Sequence, residues 1–332
     1  EGDHARGGCQ SAVHGMKLLI TGGTGSLGLA LTRYFIGTAE RIVVFSRDEQ
    51  KQAQMHARYV PKPASLRFLL GDVRDREALR HAMHGCDTVV HAAALKRVDH
   101  ISCQPIEMKK TNVDGTQNVL EAALEAGIEK VLLISTDKAV MPENIYGASK
   151  LMAEQLTTQF NAIGYPRGLK SSVIRYGNVW RSHGSVMDIW QEAAASGKAL
   201  PITDMEMTRF IITLPAVCIR IEQALNDMDG GEIFIPERLP CMRLRDLGLA
   251  FTPNGMPHYI VTGLRPGGEK LHERMLSDDE PKRTMIGANG FIIEPSHRTW
   301  CDEPSPHGVP LQNAAFRYSS DQGPFLSQET LA

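Results

Sequence analysis

The chain has 332 residues, room for two domains, or for one nucleotide-binding domain with a substrate-binding region, at about 100–200 residues per domain. Hydrophobic residues make up 42% and charged residues 22%, a balance that excludes disorder as the main state. With 36 Lys and Arg against 38 Asp and Glu, the net charge of −2 excludes a global positive field for nucleic acid or anionic lipid.

The longest uncharged span, Leu247 to Leu264, carries Pro253, Asn254, Pro257 and His258, which a membrane helix would not. Six scattered cysteines (Cys9, Cys86, Cys103, Cys218, Cys241, Cys301) form no Cys-x-x-Cys pair and fit a reduced compartment. Residues 1–15, ahead of Met16, hold no apolar run to serve as a signal peptide and read as an extension outside the fold. The expectation is a soluble, cytoplasmic protein.

From Met16 onward, apolar runs alternate with helical patterns. KLLIT (17–21), RIVVFS (41–46), LRFLLGD (66–72), DTVVHAAA (87–94), KVLLIST (130–136) and SSVIRYG (171–177) read as buried strands. They are short, rich in Val, Leu and Ile, and end in polar residues or glycine. Longer stretches such as Val113–Ala126 and Tyr146–Phe160 have helical spacing. The alternation predicts an α/β fold of the Rossmann type, a doubly wound parallel sheet built from βαβ units. After about Ser185 it fades. The expected division is a dinucleotide-binding domain over 16–185 and a smaller mixed substrate region over 186–332, with some segments returning to the first.

The first strand runs into Thr21-Gly22-Gly23-Thr24-Gly25-Ser26-Leu27-Gly28 and then a helix. Gly22 permits the tight turn, Gly25 lets a pyrophosphate approach the backbone, and Gly28 packs helix on strand. The helix N-terminus offers N–H groups to phosphate. A glycine triplet alone is as often a structural turn; between the first strand and first helix it points to a dinucleotide loop. After the second strand come Ser46 and Arg47, where an NAD enzyme would carry an acid. They suit a 2′-phosphate and hence NADP, although Arg47 beside Asp48 also fits a solvated surface turn. Asp72 and Val73 follow the third strand, placed for an adenine amino group and ring. Ala92, Ala93 and Ala94 follow the fourth, small enough for backbone to approach a cofactor.

The fifth strand delivers Ser135, Thr136, Asp137 and Lys138, and Tyr146 and Lys150 follow at helical i, i+4 spacing. A lysine ammonium there is expected to lower the phenol pKa so that Tyr146 exchanges a proton with a sugar hydroxyl. Asp137 and Lys138 read either as a plain ion pair or as an acid and a base added to the redox pair. Oxidation at one carbon makes its neighbour's proton acidic, and elimination then needs both groups. For Lys138 to be a base its pKa must fall; burial beside Lys150 lowers it and Asp137 raises it.

With GGTGSLG, FSRDEQKQ, GDVRD, HAAALK, STDKA, YGASK, RYGNV, TDMEMTRFIITL and EKLHE in hand, the chain resembles the extended short-chain dehydrogenases/reductases. Within them it is most similar to the soluble, inverting UDP-N-acetylglucosamine 4,6-dehydratases of bacterial surface-sugar biosynthesis. The resemblance implies NADP, held by the loop residues Gly22 to Gly28, by Ser46, Arg47, Asp72, Val73, Ala92–Ala94 and Lys96, and by Tyr146 and Lys150. It implies that Tyr146, assisted by Lys150 and Thr136, takes the C4 hydroxyl proton. Lys138 removes the C5 proton and Asp137 protonates the departing C6 hydroxyl. Asn178, Arg209, Arg265 and Glu269 hold the nucleotide diphosphate, with Lys96 also at the substrate. Arg209 could instead pair with Asp204 or Glu206. Departures from the family pattern fall at Asp99, Ser102, Trp180–His183, Asp188 and Gly267–Gly268. A homo-oligomer is implied, without membrane or nucleic-acid partners. Against this stand a C4 epimerase of the same fold, a non-catalytic NADP-binding regulator, and a metal enzyme using His81, His84 and Cys86, which read rather as a solvated helix end.

Overall fold

The computed structural model describes residues 15–326 apart from 60, 62, 64, 97–103, 182–185, 252–257, 266 and 304–305. Asp99, Ser102, His183 and the expected domain boundary at 185 lie outside the described residues. Six sequence-predicted strands form as β1 (Lys17–Thr21), β2 (Arg41–Ser46), β3 (Leu66–Leu70), β4 (Thr88–His91), β5 (Lys130–Thr136) and β6 (Lys170–Tyr176). Their order is 3-2-1-4-5-6, all parallel, which is the Rossmann arrangement. Side chains alternate between two cores. Leu18, Ile20, Ile42 and Val44 face one, while Leu19, Val43 and Phe45 face the other. Burial on both faces is why these strands read as continuous apolar runs rather than alternating ones.

Helices cover the two faces: α1 (Ser26–Phe35), α2 (Glu49–Arg58), α3 (Arg76–Ala82), α4 (Pro105–Lys109), α5 (Gly115–Ala126) and α6 (Ile145–Gln159). The helical stretch anticipated from Val113 opens on a π-helical turn, Lys110–Asp114, wedged between α4 and α5. Asp48 and Asp75 cap α2 and α3 through the backbone N–H groups of Lys51 and Ala78.

The later chain divides its segments. Short strands β7 (Asn178–Val179), β9 (Thr208–Ile212) and β11 (Cys241–Arg243) make one small sheet, and β8 (Leu200–Ile202) pairs with β12 (Tyr259–Val261). With α7 (Val186–Ala195) they enclose a third core around Trp190, Met207, Ile211 and Leu247. In contrast, β10 (Ile233–Pro236) joins β6 in parallel, and β14 (Gly290–Ile293), β13 (Thr284–Gly287) and β15 (Val309–Pro310) extend the large sheet antiparallel to ten strands. Helix α8 (Leu214–Asp227) packs beside α1.

One buried ionic network ties these parts together. Arg175 on β6 donates to Glu154 of α6 at 2.7 Å, to Glu280 at 3.1 Å and to the Met275 carbonyl at 2.7 Å. Glu154 also accepts from Ser135 on β5 at 2.5 Å. Charges this deep are tolerable because nearly every donor has an acceptor. Arg175→Met should cost about 3–5 kcal/mol by stranding two buried carboxylates. Urea unfolding at neutral pH measures it, and a loss under 1 kcal/mol would show the network to be dispensable.

Candidate active site

The β1–α1 loop sits at the carboxyl edge of the sheet because Gly22 adopts φ +66°, and a Cβ there would lie 2.9 Å from the Ala93 backbone. The alanine run after β4 thus packs directly against this loop. At Gly28 a Cβ would meet the Gly23 backbone at 2.4 Å, so only hydrogen lets α1 pack this close. Unlike α2 and α3, α1 has Gly25 as its N-cap, no side-chain cap and no acid in its first turn. Its N-terminus is left to accept an anion. Thr24, Ser26 and Leu27 complete this loop on the wall of a cavity of 1120 Å³.

The same cavity runs past Ser46, Arg47, Asp72, Val73, Ala92–Ala94 and Lys96 to Thr136, Lys138, Tyr146 and Lys150, then to Asn178, Arg209, Arg265 and Glu269. Asp137 is completely buried directly behind it. The residues singled out beyond the ends of six strands, on α6 and in the later chain thus converge on one cleft. Asp48 does not pair with Arg47; it caps α2, and Arg47 reaches 3.5 Å from Asp72 instead. Asp72 also holds Arg74 at 2.7 Å, and the Ser46 hydroxyl accepts from Gln52. Lys51 and Arg58 of α2 line the same rim, a basic surround that single-residue reading passed over. Among the described residues no group of three His, Cys, Asp or Glu could hold a metal ion.

At the far end of β5 the chain turns through a short 3₁₀ segment, Asp137–Ala139. Thr136 donates to Asp137 Oδ1 at 2.8 Å, and its hydroxyl favours the ionised form of the Tyr146 phenol. Lys138 Nζ donates to Asp137 Oδ1 at 3.0 Å and to Asn178 Oδ1 at 2.8 Å, and lies 3.5 Å from Glu273. Burial pushes the Asp137 carboxyl upward against the pull of Lys138. Its second oxygen, Oδ2, is buried without a hydrogen-bond partner.

Two electrostatic expectations are corrected. Burial alone would lower Lys138, but Asp137 and Glu273 outweigh it and hold the ammonium above its ordinary value. The lysine expected to act on Tyr146 is also the wrong one. Lys150 is pushed down to about 8 by burial and donates to the Ile134 carbonyl at 2.7 Å. Burial lifts Tyr146 to about 12, and the cation opposing that rise is Lys138.

Arg209 pairs with neither Asp204 nor Glu206. Glu206 takes Arg245, while Arg209 lies buried at 2.8 Å from Glu269 and 3.9 Å from Glu273. Glu269 also binds Arg265 at 2.6 Å, so one carboxylate spaces two guanidiniums along the cleft. Glu273 and Lys270 were not singled out from the sequence, although both stand in the EKLHE motif. They carry no chemical signature until folding sets Glu273 between Lys138, Lys270 and Arg209.

A doubly wound sheet with a glycine phosphate loop and a Tyr-x-x-x-Lys helix defines the short-chain dehydrogenase/reductase class. Within it, the chain belongs to the family described as polysaccharide biosynthesis protein, which matches residues 18–294. It is 40% identical to the UDP-N-acetylglucosamine 4,6-dehydratase (inverting) of Campylobacter jejuni, over 95% of this chain and 96% of that protein. Among solved structures it resembles Pen from Bacillus thuringiensis, with TM-score 0.86, 31% identity and 96% of both chains covered. It also resembles DesIV, a dTDP-glucose 4,6-dehydratase from Streptomyces venezuelae solved with NAD and TYD bound. That likeness has TM-score 0.64 and 25% identity, over 72% of this chain and 80% of that one.

The steric reading of the loop makes one prediction. Gly28→Ala should weaken dinucleotide binding at least about tenfold, since the Gly23 backbone must shift away from the phosphates. Calorimetric titration checks it, and unchanged affinity would show that the loop does not set phosphate contact.

Proposed function

We propose that the protein is a nucleotide-sugar 4,6-dehydratase, acting on UDP-N-acetylglucosamine with inversion at C5, and that it uses NADP. The observation that carries this reading is the Asp137–Lys138 contact of 3.0 Å, with Lys138 and Tyr146 lining the same cavity entered past the phosphate loop. A C4 epimerase of the same fold needs Tyr146 and Lys150 but has no use for a buried acid and a lysine at this place.

Gly22, Ala93 and the uncapped α1 terminus fit a pyrophosphate, and the small residues of the cleft wall fit the rest of a dinucleotide. When bound, that cofactor supplies a hydride acceptor for C4 and returns the hydride at C6. The residues supply the proton chemistry. Tyr146 takes the C4 hydroxyl proton, with Thr136 favouring its ionised form. The ketone then acidifies the C5 proton, which Lys138 removes after passing its ammonium proton to the Asp137 carboxylate 3.0 Å away. Asp137, whose burial favours the neutral carboxyl, protonates the leaving C6 hydroxyl. Arg209 and Arg265, spaced by Glu269, face the diphosphate as bidentate donors together with Asn178, and Lys96 lies at the substrate.

For NADP the support is Arg47, half-exposed at the rim with Lys51 and Arg58 beside it. Arg47→Ala should cost NADP about tenfold or more in affinity, from about 1.5–3 kcal/mol per charged hydrogen bond, and leave NAD nearly unchanged. Equal losses for both cofactors would remove the 2′-phosphate assignment.

The dehydratase reading is tested by NMR of the products formed from UDP-N-acetylglucosamine in deuterated water. The expected product is a 6-deoxy-4-keto sugar carrying deuterium at C5 with inverted configuration; a C4 epimer with its C6 hydroxyl intact would overturn the reading. Lys138→Ala should still oxidise C4, seen as bound reduced-nicotinamide absorbance, yet lose about 10²–10⁴-fold in elimination. Dehydration at the wild-type rate would mean that another group removes the C5 proton.

A further inference from the structure

Asp137 and Lys138 stand on a turn of chain with little internal support. The 3₁₀ segment Asp137–Ala139 closes through the N–H of Val140, which donates to the Asp137 carbonyl at 3.2 Å. Met141 follows at φ +46°, a left-handed conformation that a long side chain adopts only under constraint. Its side chain is exposed and accepts from Arg274 through sulfur at 3.5 Å. Proton transfer from Lys138 to Asp137, and then from C5 to Lys138, needs both side chains held to a small fraction of a bond length. The turn does not supply that hold by itself.

The restraint comes from a segment 130 positions along the chain. Lys270, its side chain 12% exposed, donates through Nζ to the Val140 carbonyl at 2.7 Å and to the Asp137 carbonyl at 3.4 Å. The same ammonium lies 3.0 Å from Glu273 Oε2, while Glu273 Oε1 lies 3.5 Å from Lys138. Two residues earlier, the Gly268 carbonyl accepts from Asn144 Nδ2 at 3.0 Å. Asn144 Oδ1 in turn caps α6 by accepting from the Gly147 N–H at 2.9 Å. The segment is thus fastened to both ends of the loop between β5 and α6. Between the two fastenings stands Glu269, the carboxylate shared by Arg209 and Arg265.

We infer that Lys270 is a positioning residue for the elimination: it locks the turn carrying Asp137 and Lys138 to the segment in which Glu269 spaces the two diphosphate-facing arginines. This rests on the dehydratase reading. Lys270 makes and breaks no bond of the sugar. Its ammonium holds two backbone carbonyls of the turn in place and so keeps Met141 in its strained conformation. Without it Met141 relaxes toward negative φ, and Asp137 and Lys138 lose their alignment with C6 and C5. Tyr146 keeps its place, because α6 is held by the pair between Glu154 and Arg175. The arginines also keep theirs, since Glu269 still binds both. The loss of Lys270 therefore falls on elimination and spares both oxidation at C4 and the grip on the diphosphate.

The experiment uses the NADP-loaded enzyme and UDP-N-acetylglucosamine. The wild type must first give the 6-deoxy-4-keto product; failure there overturns the dehydratase reading, and the role of Lys270 falls with it. Lys270→Met keeps the unbranched stem and removes the ammonium. It should lower kcat about 10²-fold and leave KM within about threefold of the wild type. Reduced nicotinamide should accumulate on the enzyme during turnover, because C4 is oxidised faster than elimination follows. Oxidation and elimination slowed in equal measure, or turnover at the wild-type rate, would overturn the assignment. Lost charge beside Glu273 is separated from lost positioning by the double variant Lys270→Met/Met141→Gly, in which glycine accepts the left-handed conformation without strain. That variant should regain about tenfold of the lost rate. No recovery would mean that the ammonium acts through its charge alone, and would exclude the positioning role. Should Lys270→Met fail to fold, hydrogen exchange in the wild type decides. UDP should slow exchange at the Val140 N–H about tenfold or more, since occupancy of the diphosphate end steadies the segment that holds the turn. Unchanged exchange there would overturn the assignment.

Discussion

The buried guanidinium of Arg175 is the contact on which the geometry of the site depends. It holds Glu154 of α6 and Glu280 of the C-terminal half, and through Glu154 it reaches Ser135, the residue before Thr136. Glu154 lies one helical turn beyond Lys150 and two beyond Tyr146, so the network fixes the rotation of α6 against the end of β5. The cost of burying three charges is offset only by full pairing. The ends of β5, β6 and α6 therefore keep their relative positions under any distortion that leaves the network intact.

A second ionic cluster performs the same task at the substrate end, on a segment with little regular structure of its own. Between residues 267 and 279 the chain is irregular, yet Glu269, Lys270 and Glu273 within it, and Arg265 and Glu280 beside it, each have a charged partner. Its backbone is held by Met275 donating to Tyr318 and by Ser320 donating to Glu273. Side-chain charge replaces a hydrogen-bonded ladder as the source of order. The segment carries both the guanidinium spacing expected to meet a diphosphate and the carboxylate that steadies Lys138.

What the sequence disclosed follows from what is local. Strands buried on both faces announce themselves as apolar runs, and all six expected ones appear in the parallel sheet. The phosphate loop was legible for the same reason, since its glycine requirements arise from contacts a few residues apart. Groups whose meaning comes from distant partners were not. Glu273 is an ordinary acid in the sequence and a buried counter-ion 135 positions after Lys138 in the fold. The pairing of Arg209 was sought among near neighbours, Asp204 and Glu206, and lies with Glu269, 60 positions on. The lysine acting on Tyr146 was likewise sought one turn along the same helix and comes from the preceding turn of chain. Spacing identifies which side chains share a face; it does not say which of them the tertiary packing turns toward each other.

Those misplaced charges share one physical cause and together describe the resting site. Burial raises both Asp137 and Tyr146, while Lys138 stays a firm ammonium because two carboxylates flank it. A free phenolate is thus costly here, and so is an Asp137 anion deprived of Lys138. Low dielectric favours moving a proton between adjacent groups over exporting it to solvent, since each export leaves an unbalanced charge behind. The arrangement is consequently suited to reactions that begin and end with the same proton count. A dehydration whose hydride and protons all return to one sugar or its departing water is such a reaction. A dehydrogenation that discharges a proton at every turnover is not, and that contrast ties the burial of the acid to the class of chemistry proposed for it.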